Sequence, residues 1–233
     1  MSCTFFISFI LLTILSTFLL HHLNHFKKIL TENHQAGEAE VIMDTIVGEV
    51  HQAGYIGCAH LTEHYPIFSV VFSLTADNHL VIERDKLIVR HASIQHANLI
   101  EINQPSLLVT DFGVRFKKDD LLILSDCTHA EMFIVKNVLI RHHKQILIPK
   151  EPLQGAFQPD AEVSRMVMNQ YYLYKQTLLV EDIHHHREAL SRNVRAFHPS
   201  ISNRAMGHLK VTIDLWTGLQ NETNQWHSEV WLP

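Results

Sequence analysis

The sequence predicts an α+β fold, with a long N-terminal helix followed by an antiparallel β domain with long loops. Three observations carry this. Cys3–Leu20 runs eighteen residues without a charge. Apolar residues then recur at helical spacing from Ala39 to Ala53. Beyond Pro66 the chain breaks into short Val-, Ile- and Leu-rich runs separated by turn residues.

The first element, residues 1–22, reads as a membrane anchor. At ~1.5 Å per residue its uncharged run would span ~27 Å as a helix, close to the ~30 Å hydrocarbon layer of a bilayer. Phe5, Phe6, Ile7, Phe9, Ile10, Leu11, Leu12, Ile14, Leu15, Phe18, Leu19 and Leu20 supply its apolar surface. A secretory signal would show a basic start, a shorter apolar core and a small-residue cleavage site. Here no Lys or Arg precedes the run and His21-His22-Leu23-Asn24-His25 follows it, so a retained anchor is expected. Lys27 and Lys28 alone would put that side in the cytoplasm.

The second element, residues 23–54, reads as an amphipathic helix. Ala39, Ile42, Met43, Ile46, Val50 and Ala53 form its apolar stripe, and it ends near Gly54. No Pro interrupts the chain before Pro66, so one helix is expected to run from membrane to domain, with Gly37 and Gly48 as weak points.

The third element, residues 55–233, reads as the β domain. Strands are expected at 80–84, 87–92, 98–102, 106–110, 120–127 and 131–140. Asp77-Asn78, Gln104-Pro105, Phe112-Gly113 and Lys118-Asp119-Asp120 mark the turns between them. Residues 149–160 hold three Pro and one Gly and read as a loop, and further strands are expected at 163–176, 177–183 and 208–216. Residues 182–198 read as a short helix.

Composition narrows the function. Nineteen Lys and Arg against 24 Asp and Glu give a net charge of −5, which disfavours nucleic acid as the main partner. There is no P-loop, no G-x-S-x-G and no G-x-G-x-x-G, and Asp119-Asp120 reads as a turn ahead of a strand, so no enzyme is expected. Nineteen His raise the question of metal. His184-His185-His186 is a triplet and His142-His143 a pair, and His60 and His64 have helical i, i+4 spacing. No HExxH occurs, however, and the histidines are scattered over the whole chain. Neither a metal nor any other cofactor is expected.

Three stretches, in order, resemble one family. MDTIVGEVHQAGYIGC (43–58) is similar to the end of the long helix in PilW-type minor pilins of type IV pilus systems. DKLIVRHA (85–92) resembles the strand that follows there, and DLLILSDCTHAEMFIV (120–135) a later segment built around Ser-Asp-Cys. YYLY (171–174) is a weaker match. The basic leader and the early glutamate of type IV pilins have no counterpart ahead of Glu32.

The resemblance implies a pilin-like fold, a disulfide between Cys58 and Cys127, and hence an oxidising compartment such as the periplasm. It also implies a structural motif of Gly54, Tyr55, Gly57 and Asp126. The expected protein is a single-pass inner-membrane subunit with its C-terminal domain in the periplasm, acting as a minor pilin in an initiation or tip complex and incorporated in the pilus. Twitching, adhesion or DNA uptake would lie downstream. Its expected partners are other minor pilins, the major pilin, the assembly platform and the lipid bilayer. A type II secretion minor pseudopilin and a membrane-anchored periplasmic His-rich metal-binding protein are the alternatives.

Overall fold

The computed structural model describes residues 16–20, 22–23, 36–57, 61, 67–69, 74, 78–102, 107–159, 161–203, 209–218 and 223–232. Among them the strands are β1 (Ile67–Ser69), β2 (Leu80–Glu83), β3 (Lys86–Ile102), β4 (Leu108–Thr110), β5 (Leu121–Ser125), β6 (Ala130–Arg141), β7 (Lys144–Pro149), β8 (Glu162–Tyr174), β9 (Thr177–Glu181), β10 (Arg187–Ser191), β11 (Val194–Asn203), β12 (Leu209–Thr217) and β13 (Asn224–Leu232).

Two long strands organise the larger sheet. β3 and β8 pair antiparallel from Lys86↔Tyr172 to Asn98↔Glu162. One half of this ribbon carries β2 beside β3, and β9 then β10 beside β8, as an open wing. At the other half the strands run β8-β5-β6-β7-β4-β3, and β3 meets β8 again, so six strands close a small barrel. Leu99, Leu108, Leu122, Leu124, Phe133, Val135, Leu147 and Val163 fill its interior. Closure removes the exposed edges that such strands would otherwise present. β5 is buried on both faces. Its alternate residues Leu121 and Ile123 pack outside the barrel with Ile56, Met132 and Met166, which is why its sequence is a continuous apolar run.

β11, β12 and β13 form a separate antiparallel sheet. Val211, Ile213 and Leu215 alternate inward along β12 and share one core with Leu80, Leu87, Val89, Tyr171 and Leu178 of the wing. The same core takes the whole apolar stripe of the helix at 36–52, from Ala39 to Ala53. The periodicity therefore identified a real packed face.

The long N-terminal helix does not hold. Among the described residues helix is confined to 16–20, 22–23 and 36–52, and they are mostly β rather than the pilin-like α+β arrangement expected. A helix in water is stabilised mainly by packing an apolar face, and the packed stripe here begins at Ala39. The single-pass inner-membrane placement does not hold for the described residues either, since none of their helices is long and apolar enough to cross a membrane. Phe18, Leu19 and Leu20 are exposed on the short helical stretch, and the anchor positions from Phe5 to Leu15 lie outside the described residues.

The helix expected at 182–198 is instead a turn followed by β10 and the start of β11. Glu188, Ala189 and Leu190 favour helix locally, but pairing of Arg187–Ser191 with β9 overrides that preference. The expected strands at 87–92 and 98–102 merge into β3, across an irregularity between Ala92 and His96. Asp119 does sit in a turn ahead of β5, and residues 150–159 do form a loop.

Candidate functional site

The residues singled out by the resemblance are brought close together. Gly54, at φ 76°, donates its N–H to the Arg90 carbonyl (3.0 Å), and the Ala92 N–H donates to the Tyr55 carbonyl (2.6 Å). The chain leaving the helix is thus stitched to β3. Gly57, at φ 104°, lies against Ser125, where a Cβ would meet the Ser125 Cβ at 3.3 Å and a Glu162 carboxylate oxygen at 3.0 Å. Only glycine suits that backbone and that space.

Asp126 is the hub of the turn after β5. Its carboxylate accepts from the Thr128 N–H (2.9 Å), the Thr128 hydroxyl (2.5 Å), the His129 N–H (3.0 Å) and the Gln158 N–H (3.2 Å). Burial pushes its pKa up, but these hydrogen bonds outweigh it and hold the carboxyl below its ordinary range. Glu131 clamps the same loop by accepting from the Gln154 and Gly155 N–H groups. All of this is structural.

The expected Cys58–Cys127 disulfide does not hold. Cys127 is a free, exposed thiol at the tip of the Asp126 turn, a place that orders the backbone with hydrogen bonds and no cross-link. Cys58 lies outside the described residues, as do His60 and His64.

The remaining histidines of interest are spent on local structure. His142 and His143 both have positive φ (47° and 58°) and make the two-residue turn between β6 and β7. His185 pairs with Glu181 (2.8 Å) and His186 with Asp182 (3.2 Å) in the β9–β10 turn. Among the described residues no three His, Cys, Asp or Glu side chains converge on a position that could hold a metal ion.

The outer face of the β11–β13 sheet is the most elaborated surface. Its core-facing side takes every second residue, which turns Lys210, Thr212, Asp214 and Trp216 of β12 outward. The outward neighbours on β13 are Gln225, His227, Glu229 and Trp231. His227 Nδ1 lies 2.8 Å from Asp214 Oδ1 directly across the pair, and its Nε2 lies 3.4 Å from Glu229. Lys210 pairs with Glu229 and sits 5.2 Å over the Trp231 ring. On β11, His198 meets Trp216 edge-on at 5.3 Å.

The hydrogen bond that His227 donates to Asp214 holds its imidazole above the usual range; desolvation opposes this and Glu229 adds to it. The Lys210 hydrogen bond holds Glu229 below its ordinary value. What these side chains form is a row of paired charges with an indole at each end, Trp231 level with Lys210 and Trp216 six residues further along β12, and among the described residues β13 is an unpaired sheet edge. Tryptophans beside charged groups on an exposed sheet face are residue types that protein-binding surfaces use.

Sequence reasoning read residues 208–216 as a strand but missed this face. The signal was there: strict alternation in LKVTIDLWT, and a second alternation in NQWHSEVWL. No family model matches this sequence, and neither a curated protein nor a solved structure resembles it closely enough to count as a match.

Proposed function

We propose that this chain is a non-catalytic subunit of a multi-protein assembly that works by surface contact, in the role implied by the resemblance to PilW-type minor pilins. The reading concerns the assembly role and not the pilin architecture, which the described residues do not have. Its partners would be pilin-type subunits, minor and major. The observation that carries it is the outer face of β11–β13, where Trp216 and Trp231 stand at opposite ends of a row of paired charges formed by Lys210, Asp214, His227 and Glu229.

A second observation supports it. The stretches behind the resemblance are neighbours in space. Gly54 and Tyr55 bond to β3 at Arg90 and Ala92, Leu87 of β3 pairs with Tyr171, and Ile123 of β5 shares one core cluster with Ile56 and Ala92. A set of chance local matches would have no reason to share one region of the fold.

The test is photo-crosslinking in the cells that make the protein, with a photoreactive residue at position 231 and a control at position 188 on exposed β10. Crosslinks from 231 alone to pilin-type subunits, with fewer surface filaments when the gene is deleted, are the expected result. Crosslinks to no pilin-type protein, together with unchanged filaments on deletion, would remove the reading.

A further inference from the structure

Lys118, Lys136 and Lys150 converge on an open groove of about 680 Å³ whose remaining lining is Asp119 and Asn137. Three separate backbone devices put them there. Lys136 is the extra residue of a bulge in β6, where the register slips between Val135↔Pro149 and Asn137↔Ile148. Bulges re-aim side chains and recur beside functional sites. Asp119 holds φ 68°, a left-handed conformation that aspartate tolerates better than most residues. Lys150 follows directly on β7, and its N–H bonds to the Ile134 carbonyl (2.8 Å).

The turn beneath the groove is fixed. Asp120 accepts from the Lys117 N–H (2.9 Å) and from the Arg165 guanidinium (3.1 Å), and Asp119 and Asp120 exchange backbone hydrogen bonds with Val135. The lysines thus stand on a rigid frame. Lys150 pairs with Asp119 at 2.8 Å. Among the described residues Lys136 is in no ion pair, and Lys118 has no carboxylate within pairing distance, although its charge reaches Asp119. Three ammonium groups against one carboxylate leave an excess of two positive charges, in a chain whose total is −5.

A second, half-enclosed pocket of about 260 Å³ shares Lys150 with this groove; Met132, Phe133, Ile134 and Pro152 give it an apolar wall, and Glu131, whose carboxylate is held by the Gln154 and Gly155 N–H groups, and exposed Glu151 complete its lining. One lysine therefore belongs to both a cationic groove and a pocket with an apolar wall. From this juxtaposition we propose a binding site for a phosphate monoester. Its dianion would meet Lys118, Lys136 and Lys150, and its small apolar group would enter the pocket beside Met132 and Pro152. Asp119 is the internal competitor for Lys150 and must release it when the phosphate binds. The proposal is independent of the assembly reading.

The experiment is titration of the full-length chain with phenyl phosphate at low ionic strength, followed by calorimetry and by amide shifts at 118, 136 and 150. Phenyl phosphate should bind more tightly than inorganic phosphate. Lys136→Gln, at an exposed position, should weaken binding about five-fold or more. Asp119→Asn keeps a residue at home in the left-handed region and should tighten binding, because the competing carboxylate is gone.

Vesicles carrying a phosphate-monoester headgroup form the second arm. Binding there that Lys136→Gln abolishes, without binding of the free ester, identifies a lipid headgroup as the source of the same chemistry. Equal affinity for phenyl phosphate and inorganic phosphate would overturn the apolar half of the site. Binding unaffected by Lys136→Gln, or absent in both arms, would overturn the whole.

Discussion

Glu49 Oε2 lies 3.0 Å from Nε2 of His91, whose Nδ1 stands 2.8 Å from the Ala92 carbonyl oxygen. Both ring nitrogens therefore face oxygen atoms. Asn169 donates to the same Glu49 oxygen at 3.0 Å. This network ties the helix to β3 and β8 through polar groups, in a core that is otherwise apolar.

The pH dependence follows from Glu49. Burial raises its pKa, but the His91 hydrogen bond and charge, with Asn169, prevail and hold it below the ordinary 4.5. A carboxyl depressed in the folded state adds stability above its unfolded value, and that stability is lost as pH falls through the folded value. Denaturant midpoints should thus be level near neutrality and should drop below about pH 4.5. Glu49→Leu should cost about 1–3 kcal/mol at pH 7 by removing the acceptor that His91 and Asn169 share, and should flatten the acid limb. Urea melts of both proteins at pH 7 and pH 4 measure this, and an unchanged acid limb would mean that Glu49 is not the responsible group.

The β6–β7 turn predicts a gain in stability. His142 and His143 occupy the two left-handed positions of a two-residue hairpin, where Asn-Gly is the favoured pair. Left-handed backbone costs an ordinary residue roughly 1–2 kcal/mol. The double variant H142N/H143G should therefore raise the unfolding free energy by about 1 kcal/mol, read as a shifted denaturant midpoint at unchanged slope. A fall would show that the histidine rings make contacts worth more than the backbone strain.

Cys127 predicts chemical reactivity. As a free, exposed thiol it should be alkylated by iodoacetamide in the native protein with no reductant present. Peptide mass spectrometry of the residue 127 fragment reads this directly. A fragment that takes up reagent only after reduction would contradict the free thiol.

How much of this was legible depended on how local the cause is. The stripe from Ala39 to Ala53 and the Val- and Ile-rich runs of β2, β3, β5, β6, β8 and β12 mark their elements by burial pattern, which the sequence carries in place. β7 went unread because its hairpin uses His142-His143 rather than glycine, and Lys175-Gln176 hides the β8–β9 turn in the same way. The barrel was illegible because it depends on one distant register, Asn98 against Glu162. The apolar run before Leu20 lies mostly outside the described residues, of which only 16–20 belong to it, and hydropathy states what a segment avoids but not what it packs against. The lysine groove needed three residues far apart in sequence, and only the Lys118-Asp119-Asp120 turn was visible beforehand.

The barrel's closing seam also sets an order of events during synthesis. β3 is made early, yet Asn98 has no β8 partner until Glu162 exists, and Lys86 waits for Tyr172. At about 5–20 residues per second the ribosome takes several seconds to supply that strand. Until then a seventeen-residue, largely apolar ribbon is available to anything nearby. Messages truncated before residue 162 would yield chains permanently held at that stage. Such chains would carry most of the hydrophobic residues of the barrel and none of its closure, which makes them natural clients for chaperones and proteases.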